Sequence, residues 1–347
     1  MHPLIPSIEN LHNLALAERL QLRIDQKTKP LGALGQLETL MLRLGLILNT
    51  ESPQLQQPQL LVFTGDHGLV KRGVSAYPSE VTWQMVENFL GGGAAVSVLA
   101  RQHGIDLSVV DAGVAHDFAP RMGLISRKIA HGTQDSMTQP AMTHAQCEAA
   151  ILAGREVLRE LPGNALLLGE MGIGNTSAAA LLMSRLSGEP IAQCTGRGTG
   201  LDFAGLEHKT QVLADVLAHH SQARTPIDAL AAFGGFEIAM MTGAVLQAAL
   251  ERRVIVVDGF ISSSAVLVAH ALQPHVLQRC IFSHRSQECG HTLMLSYMNA
   301  EPLLQMQLRL GEGSGAALAW PLLMSACHLL NEMASFASAG VSESSPS

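Results

Sequence analysis

The chain has few aromatic and few charged residues. Of its 347 residues, 4% are aromatic and 15% are charged, and the net charge is −7. Proteins that bind nucleic acid usually carry a basic surface, and single-strand binders also present aromatic rings on which bases stack. With 2 Trp, 2 Tyr and an acidic balance, the composition argues against nucleic acid as a partner. A small molecule held in a local pocket is the better expectation.

Paired cysteines and long apolar runs are also missing. The five cysteines are scattered and form no CxxC pair, which is typical of free thiols in a reducing compartment. The opening "MHPLIPSIEN" lacks a basic segment followed by an apolar one. The late apolar stretch "AALAWPLLMSACHLL" is too short to span a bilayer. We therefore expect a cytoplasmic protein with no membrane segment.

Short apolar runs rich in Val, Ile and Leu recur in the middle of the chain. Each is followed by glycine and an acidic or hydroxyl residue, and helical Ala/Leu-rich stretches lie between them; the runs are 60–68, 106–114, 165–172, 253–265 and 280–286. This alternation predicts an α/β fold with a parallel sheet covered by helices on both faces. Ligands of such sheets bind beyond the carboxyl ends of the strands, so we expect the site there.

The two ends of the chain have a helical pattern instead. Residues 1–50 carry no strand signal, and the segments "HTLMLSYMNAEPLLQMQLRLG" and "AWPLLMSACHLLNEMASFA" again look helical. We expect 1–50 and 301–337 to form a small helical domain beside a large α/β domain of 60–300. The polar tail, 338–347, is expected to be disordered.

The stretch "GEMGIGNT" is a glycine loop between a strand and a helix. Asn175 stands where a P-loop has lysine, which argues against a triphosphate ligand. What remains is a nest of backbone N–H groups from Gly172 and Gly174 onward, with the side chains of Asn175, Thr176 and Ser177 at a helix N-terminus. Such a nest suits a single phosphate. The alternative is a plain strand-to-helix turn in which glycine provides tightness.

A second glycine-rich stretch, "GRGTGLDFAGLEHK" (196–209), supplies two of the few cations of the chain, Arg197 and Lys209. Lys209 could complete the phosphate site as a point charge. The alternative, more usual for an isolated lysine, is a solvated helix residue.

Two polar clusters carry weaker signals. Asp66 and His67 in "GDHG" could form a metal or catalytic pair, but turns after strands often carry these residues for hydrogen bonding. The stretch "SHRSQECGH" has no zinc spacing; within it, Ser283 is a candidate for ligand contact. We predict neither a metal site nor a cofactor.

Glu312 lies between two glycines in "LRLGEGSGAALA", after an apolar run and before a helix. Flanking glycines leave the carboxylate unshielded, so the backbone can bring it close to a ligand. In an apolar pocket its pKa should rise towards neutrality, which suits a general base. The alternative is a charge that stabilises the start of the following helix.

The order of six motifs resembles the nicotinate-nucleotide:dimethylbenzimidazole phosphoribosyltransferase family over about residues 29–333. The motifs are "FTGDHG", "GVSAYPSEVTWQMV", "GEMGIGNTS", "GRGTGL", "DGFISS" and "LRLGEGSGAALA". The resemblance implies a Rossmann-like sheet, a small helical domain from both chain ends and a homodimer. It also implies transfer of phosphoribose from nicotinate mononucleotide to 5,6-dimethylbenzimidazole. The products are α-ribazole 5′-phosphate, which supplies the lower ligand of cobalamin, and nicotinate.

The resemblance also assigns roles to residues. Glu312 falls on the catalytic base and Glu170 faces the substrates, where it could hydrogen-bond the ribose or stabilise developing charge. Five residues fall at the pocket for the acceptor base: Tyr77, Pro78, Gln84, Met171 and Leu310.

Three alternatives stay open. The same chemistry could use adenine or a phenol as the acceptor. A P-loop-like kinase is opposed by Asn175. A non-catalytic nucleotide-binding module would leave Glu170 and Glu312 unexplained.

Overall fold

The computed structural model of the chain describes residues 4–198 and 200–342. Within these residues six parallel strands form one sheet, in the spatial order β3-β2-β1-β4-β5-β6. The strands are β1 (Gln59–Gly65), β2 (Asp106–Gly113), β3 (Leu124–Ser126), β4 (Ala165–Met171), β5 (Val254–Val257) and β6 (Cys280–Phe282). β1, β4, β5 and β6 are buried along nearly their whole length, which explains their unbroken apolar runs.

The strand order reverses between β1 and β4. From β1 the chain builds outward through β2 to β3, whereas β4, β5 and β6 extend in the opposite direction. A crevice opens beyond the carboxyl ends of the two strands that flank such a reversal, and it is the usual ligand site of open parallel sheets. In this chain the crevice lies between the turn after Gly65 and the turn after Met171.

Helices connect the strands and cover the sheet. The described residues include fourteen α-helices and two short 3₁₀ helices, Gly68–Arg72 and Pro274–Arg279. The α-helices are α1 (Leu14–Asp25), α2 (Gln36–Leu48), α3 (Glu80–Leu90), α4 (Ala95–His103), α5 (His144–Arg159), α6 (Asn175–Ser187), α7 (Ile191–Cys194), α8 (Phe203–His219), α9 (Pro226–Phe233), α10 (Phe236–Leu250), α11 (Phe260–Leu272), α12 (Cys289–Tyr297), α13 (Ser314–Glu332) and α14 (Phe336–Ala339).

Successive residues of each strand point into different cores. Leu61 and Phe63 of β1 join an apolar cluster with α5, α6, α10 and α11 on one face. Leu60 and Val62 join a second cluster on the other face, formed with α1, α2, α4 and α13. This alternation is the period of an extended strand, and it confirms the predicted parallel sheet with helices on both faces.

The helices from the two chain ends pack directly on the sheet. Leu20 of α1, Leu44 of α2 and Leu323 of α13 belong to the same buried cluster as Val62 and Val256 of the strands. The division into a large and a small domain stays a prediction. Of the tail predicted to be disordered, residues 338 and 339 lie in α14, and 343–347 lie outside the described residues.

The predicted helix over 291–311 is wrong in its second half. α12 ends at Tyr297, and Asn299 adopts a left-handed φ of 50°. Beyond Pro302 the chain runs beside β6, where the Leu303 and Leu304 amides donate to the carbonyls of Phe282 and Ser283. The helical periodicity was overridden because these amides find partners along the edge of the sheet. Sequence periodicity also missed β3, a three-residue edge strand.

No helix within the described residues combines the length and apolarity needed to cross a bilayer. All five cysteines are free thiols.

Candidate active site

A small cavity lies at the carboxyl ends of β4, β5 and β6, beside the reversal of strand order. Its lining includes six of the predicted site residues: Glu170, Met171, Gly172, Asn175, Thr176 and Leu310. It also includes residues to which the sequence analysis gave no role, among them Phe260, His284, Ser286, Glu288 and Arg309. This cavity lies where the sequence predicts the site, at the carboxyl ends of the strands; the roles of its residues stay a prediction.

The glycine loop between β4 and α6 is built by close approach and a left-handed turn. Gly174 has a φ of 95° and is the N-cap of α6, a backbone conformation that favours glycine. A Cβ at Gly172 would lie 2.3 Å from the carbonyl oxygen of Gly65, so only glycine lets the two turns meet. These contacts place the start of α6 against the end of β1.

The glycine loop has fewer backbone amides free to bind an anion than the sequence predicts. The amide of Ile173 donates to Thr82 Oγ1, and the amides of Asn175 and Ser177 donate to carbonyls of the loop. The Ser177 side chain is fully buried. An anion at this helix start would therefore rely on the remaining amides, the hydroxyl of Thr176 and a nearby cation.

Lys209 supplies that cation. Its side chain is buried, and Nζ donates to Thr176 Oγ1 at 2.8 Å and to the Gly196 carbonyl at 3.3 Å. Burial lowers the pKa of Lys209 to about 8, although the Glu288 carboxylate opposes this shift. The alternative of a solvated helix residue is wrong, because α8 turns Lys209 inward beneath the loop.

The backbone around Glu312 is strained. Gly311, Glu312 and Gly313 have consecutive left-handed φ values of 78°, 67° and 92°. For a residue other than glycine this region costs on the order of 1–3 kcal/mol, and it persists where the surroundings impose it. Gly169 of β4 makes room for this turn: a Cβ on that glycine would lie 2.4 Å from the Glu312 carbonyl oxygen.

Asp258, which follows β5, fixes the same turn from the other side. Its Oδ2 accepts a hydrogen bond from the Gly313 amide, and its Oδ1 accepts one from the Ala316 amide, each at 3.1 Å. These amides open α13, so Asp258 provides the carboxylate at this helix start. Asp258, and not Glu312, therefore provides the charge that stabilises the start of α13.

The two predicted catalytic carboxyls have raised pKa values. Burial raises the pKa of Glu312 to about 7, and the nearby charge of Asp258 adds to the shift. The Oε2 atom of Glu312 has no hydrogen-bond partner among the described residues. Burial raises the pKa of Glu170 to about 8, with contributions from Asp258, Glu237 and Glu312, while a hydrogen bond from Asn175 Nδ2 opposes the rise. Near neutral pH, Glu312 can therefore accept a proton while Glu170 largely carries one.

We expect Asp258→Asn to lower kcat about 10-fold while leaving KM for the substrates within about twofold. The amide keeps one acceptor oxygen, so one of the two backbone bonds is lost and the Glu312 turn loosens. Steady-state kinetics measure the effect. Asn13→Ala removes the N-cap of α1 and serves as a control, with a stability loss of about 1 kcal/mol and unchanged kcat. Unchanged kcat in Asp258→Asn would separate Asp258 from the positioning of Glu312.

Three residues predicted at the acceptor pocket lie outside the cavity. Tyr77, Pro78 and Gln84 are exposed and are not part of its lining. α3 faces the glycine loop through Thr82, which accepts the Ile173 amide. Gln84 lies two residues further on, which is about half a turn, and so projects from a different side of the helix.

Ser283 does not line the cavity either. It is fully buried after β6, and its hydroxyl donates to the Asp258 carbonyl at 3.4 Å and lies 3.1 Å from His284 Nδ1. The structure therefore gives Ser283 a place behind the cavity wall. Among the described residues, no group of three or more His, Cys, Asp or Glu side chains has the arrangement of a metal site.

Sequence reasoning missed the role of Asp258 and the partner of His67. The strand-end position of Asp258 was a usable signal, because parallel strands bring their carboxyl ends to one edge. His67 Nε2 lies 2.6 Å from Glu237 Oε1 in a fully buried pair. Glu237 sits on α10, 170 residues away, and no local pattern connects the two.

Comparison with known proteins assigns the chain to a family. A family model described as phosphoribosyltransferase matches residues 10–341. A nicotinate-nucleotide–dimethylbenzimidazole phosphoribosyltransferase of Variovorax paradoxus (strain S110) is 68% identical over 338 residues, with 97% of each chain covered. The protein of the same name from Cupriavidus necator is 58% identical, with 96% of this chain and 97% of that one covered.

Solved structures agree with this assignment. The crystal structure of CobT from Thermus thermophilus has a TM-score of 0.92 and 40% sequence identity, and the match covers 95% of this chain and all of that one. The chain belongs to the nicotinate-nucleotide–dimethylbenzimidazole phosphoribosyltransferase family.

Proposed function

We propose that this chain transfers the 5-phosphoribosyl group of nicotinate mononucleotide to 5,6-dimethylbenzimidazole. The products are α-ribazole 5′-phosphate, which is used for the lower ligand of cobalamin, and nicotinate. The observation that carries this proposal is Glu312, a buried carboxyl in a strained left-handed turn with a pKa raised to about 7. A protein of this name is 68% identical to the chain over 338 residues.

The chemistry needs a base and has no need of a metal. A benzimidazole nitrogen attacks C1 of the ribose, and the bond from C1 to the nicotinate ring nitrogen breaks. The bonding electrons return to that nitrogen, which is cationic in the nucleotide and becomes neutral. The new bond makes the other ring N–H of the benzimidazole acidic, and Glu312 takes this proton. Attack from the opposite face converts the β-linkage into an α-linkage.

The glycine loop and Lys209 fit the single phosphate of the donor. Thr176 links them, since this residue lines the cavity and its hydroxyl accepts a hydrogen bond from Lys209 Nζ. A helix N-terminus with one buried cation suits one phosphate group. The missing P-loop lysine opposes the kinase alternative, which would require a triphosphate. In this proposal Gly172, Gly174, Asn175 and Thr176 bind the phosphate, with Lys209 behind them.

The cavity is smaller than the usual site for a ligand of the size of a nucleotide. The cavity measures about 80 Å³, whereas sites for small ligands usually have roughly 300–1,000 Å³. Residues 309–311 are part of its wall, and Leu310 is 56% exposed. We propose that this segment shifts outward to admit the nucleotide and then covers the acceptor base. Met171 and Leu310 would form apolar walls for the base, with Tyr77, Pro78 and Gln84 at its outer edge.

Glu170→Gln should lower kcat about 10-fold with little change in nucleotide affinity. At rest Glu170 is protonated, since its pKa is raised to about 8, and an amide mimics this neutral form. Positive charge that develops on the ribose favours the ionised form, which glutamine cannot adopt. Stopped assays of nicotinate release measure kcat. Wild-type kinetics in the variant would remove Glu170 from the reaction.

The proposed function is tested by incubating the protein with nicotinate mononucleotide and a panel of bases. We expect nicotinate release and an α-riboside with 5,6-dimethylbenzimidazole. An α-riboside only with adenine or a phenol would keep the chemistry and change the acceptor. Calorimetric binding of the nucleotide without nicotinate release would support a non-catalytic binding module instead.

We further propose that the chain forms a homodimer in the cytoplasm. The family resemblance implies a homodimer, and exposed apolar side chains such as Phe203, which is 75% exposed, are available for contact with a second copy. Five free cysteines suit a reducing compartment. Light scattering tests the dimer: a species with the mass of one 36.9 kDa chain at working concentration would contradict it.

A further inference from the structure

We propose that His284 binds the donor nucleotide by accepting a hydrogen bond from a hydroxyl of its ribose. This inference rests on the proposed function, to which it adds a residue that contacts the sugar. His284 follows β6 and lines the cavity, although only 2% of the residue is exposed. The imidazole is therefore enclosed by the protein and available only to a ligand within the cavity.

The Nδ1 atom of the ring faces two polar groups of the protein. It lies 3.1 Å from Ser283 Oγ and 3.8 Å from Asp258 Oδ1. The Ser283 hydroxyl donates to the Asp258 carbonyl, so its oxygen is left to accept the hydrogen of Nδ1. The nearby Asp258 carboxylate favours the same tautomer, in which Nδ1 carries the hydrogen.

The Nε2 atom is the one left for a ligand. It has no hydrogen-bond partner among the described residues. A Cβ at Gly259, another residue of the cavity lining, would lie 3.6 Å from it. With the hydrogen on Nδ1, Nε2 of the neutral imidazole offers a lone pair and accepts a hydrogen bond. Because a buried acceptor without a partner is costly, a ligand that donates to Nε2 gains affinity.

The ring is held in place by α13 and by Asp258. A Cβ at Gly315, in the first turn of α13, would lie 2.1 Å from Nδ1 and 2.5 Å from Cε1, so the ring packs directly against this helix. Asp258 lies beside the ring and also accepts the Gly313 amide, which shapes the turn of Glu312. A hydroxyl bound at Nε2 therefore fixes the ribose relative to Glu312, as in-line attack at C1 requires.

The chemistry of the two substrates identifies the hydrogen-bond donor. The phosphate and the carboxylate of nicotinate mononucleotide are anions that accept hydrogen bonds, so neither suits a lone pair. The ring N–H of dimethylbenzimidazole carries the proton that Glu312 takes in the proposed reaction. The donors that remain are the 2′- and 3′-hydroxyls of the ribose. We therefore assign one of these hydroxyls to His284.

The inference is tested by calorimetric Kd values for nicotinate mononucleotide and its 2′-deoxy and 3′-deoxy analogues, measured without an acceptor base. In wild type, loss of the hydroxyl that meets Nε2 should raise Kd about 10-fold, because a buried acceptor loses its partner. In His284→Asn the same loss should change Kd by less than about twofold. Asparagine keeps an amide N–H near the position of Nδ1 and has no atom at that of Nε2.

A second variant and a control complete the comparison. His284→Phe keeps a ring but has no nitrogen, and it should also fail to distinguish the deoxy analogue, so either variant that folds decides the question. His275→Asn makes the same change in a half-buried histidine whose Nδ1 lies 3.0 Å from the Ile8 carbonyl. His275 precedes β6 and so lies at the opposite end of the strands from the cavity. We expect this control to distinguish the analogues as wild type does.

Two results would overturn the inference. One is a wild-type protein that binds all three ligands equally well. The other is a His284 variant that distinguishes the deoxy analogues as wild type does, or that weakens all three ligands by the same factor. Release of nicotinate by the wild-type protein alongside either result would leave the proposed function intact. Failure of the wild-type protein to bind the nucleotide would instead reject the proposed function.

Discussion

Glu312→Ala should lower turnover about 100-fold or more, the usual range for loss of a general base. The side chain is buried between Gly311 and Gly313, and its pKa is raised to about 7. No other described carboxyl combines a left-handed turn beside the cavity with a free oxygen. The substitution removes the proton acceptor and leaves the glycine loop and Lys209 intact. Nicotinate release at saturating substrates measures the loss.

The specificity of this effect is checked with Glu301→Ala. Glu301 is an exposed glutamate in the irregular segment between α12 and α13, and its loss should leave turnover within about twofold of wild type. Calorimetric Kd values for nicotinate mononucleotide should be similar in both variants, because Glu312 acts on the acceptor. Turnover of Glu312→Ala close to wild type would reject Glu312 as the base.

Lys209→Met should raise Kd for nicotinate mononucleotide about 10- to 100-fold, as expected for one hydrogen-bonded charge. Lys209 is the buried cation behind the glycine loop, and its Nζ holds Thr176 at 2.8 Å. Methionine keeps the length and apolar character of the side chain, so the core beside α8 stays filled. Calorimetry with the nucleotide alone measures the change without turnover.

Arg159→Met provides the comparison for Lys209. Arg159 is the last residue of α5 and is exposed. Because α5 leads into the amino end of β4, Arg159 lies at the opposite end of the strands from the cavity. The variant loses one positive charge of the whole chain but none near the phosphate, and Kd should stay unchanged. If both variants weakened binding equally, the effect of Lys209 would come from net charge and not from its place in the site.

Much of the fold was predictable because buried strands and helices leave a recognisable pattern of apolar residues in the sequence. β1 and β4 are buried on both faces, and this appears in the sequence as unbroken apolar runs. β3 is half exposed and only three residues long, so its pattern is too short to detect. The segment after Asn299 has helical periodicity, yet its amides pair with β6. Such tertiary pairing has no local signal.

The site was predictable where carboxylate side chains and glycines occur together in the sequence. Glu312 and the loop after Glu170 stand out because flanking glycines indicate close approach of the backbone. The pKa of Glu312 is raised towards neutrality, as expected for an enclosed carboxyl. Lys209 looked like a solvated residue, since the loop that covers it folds over from elsewhere. The contacts of Asp258 with α13 span more than 50 residues, and no pattern along the chain records them.

The pH dependence of kcat in wild type and in Glu312→Gln tests the proton transfer most directly. Wild-type kcat should fall as the pH drops through about 7, because protonated Glu312 cannot accept a proton. In Glu312→Gln the remaining activity should lack this acid limb. An acid limb near the ordinary glutamate pKa of about 4.3, or one that persists unchanged in the variant, would contradict the assignment of Glu312 as the base.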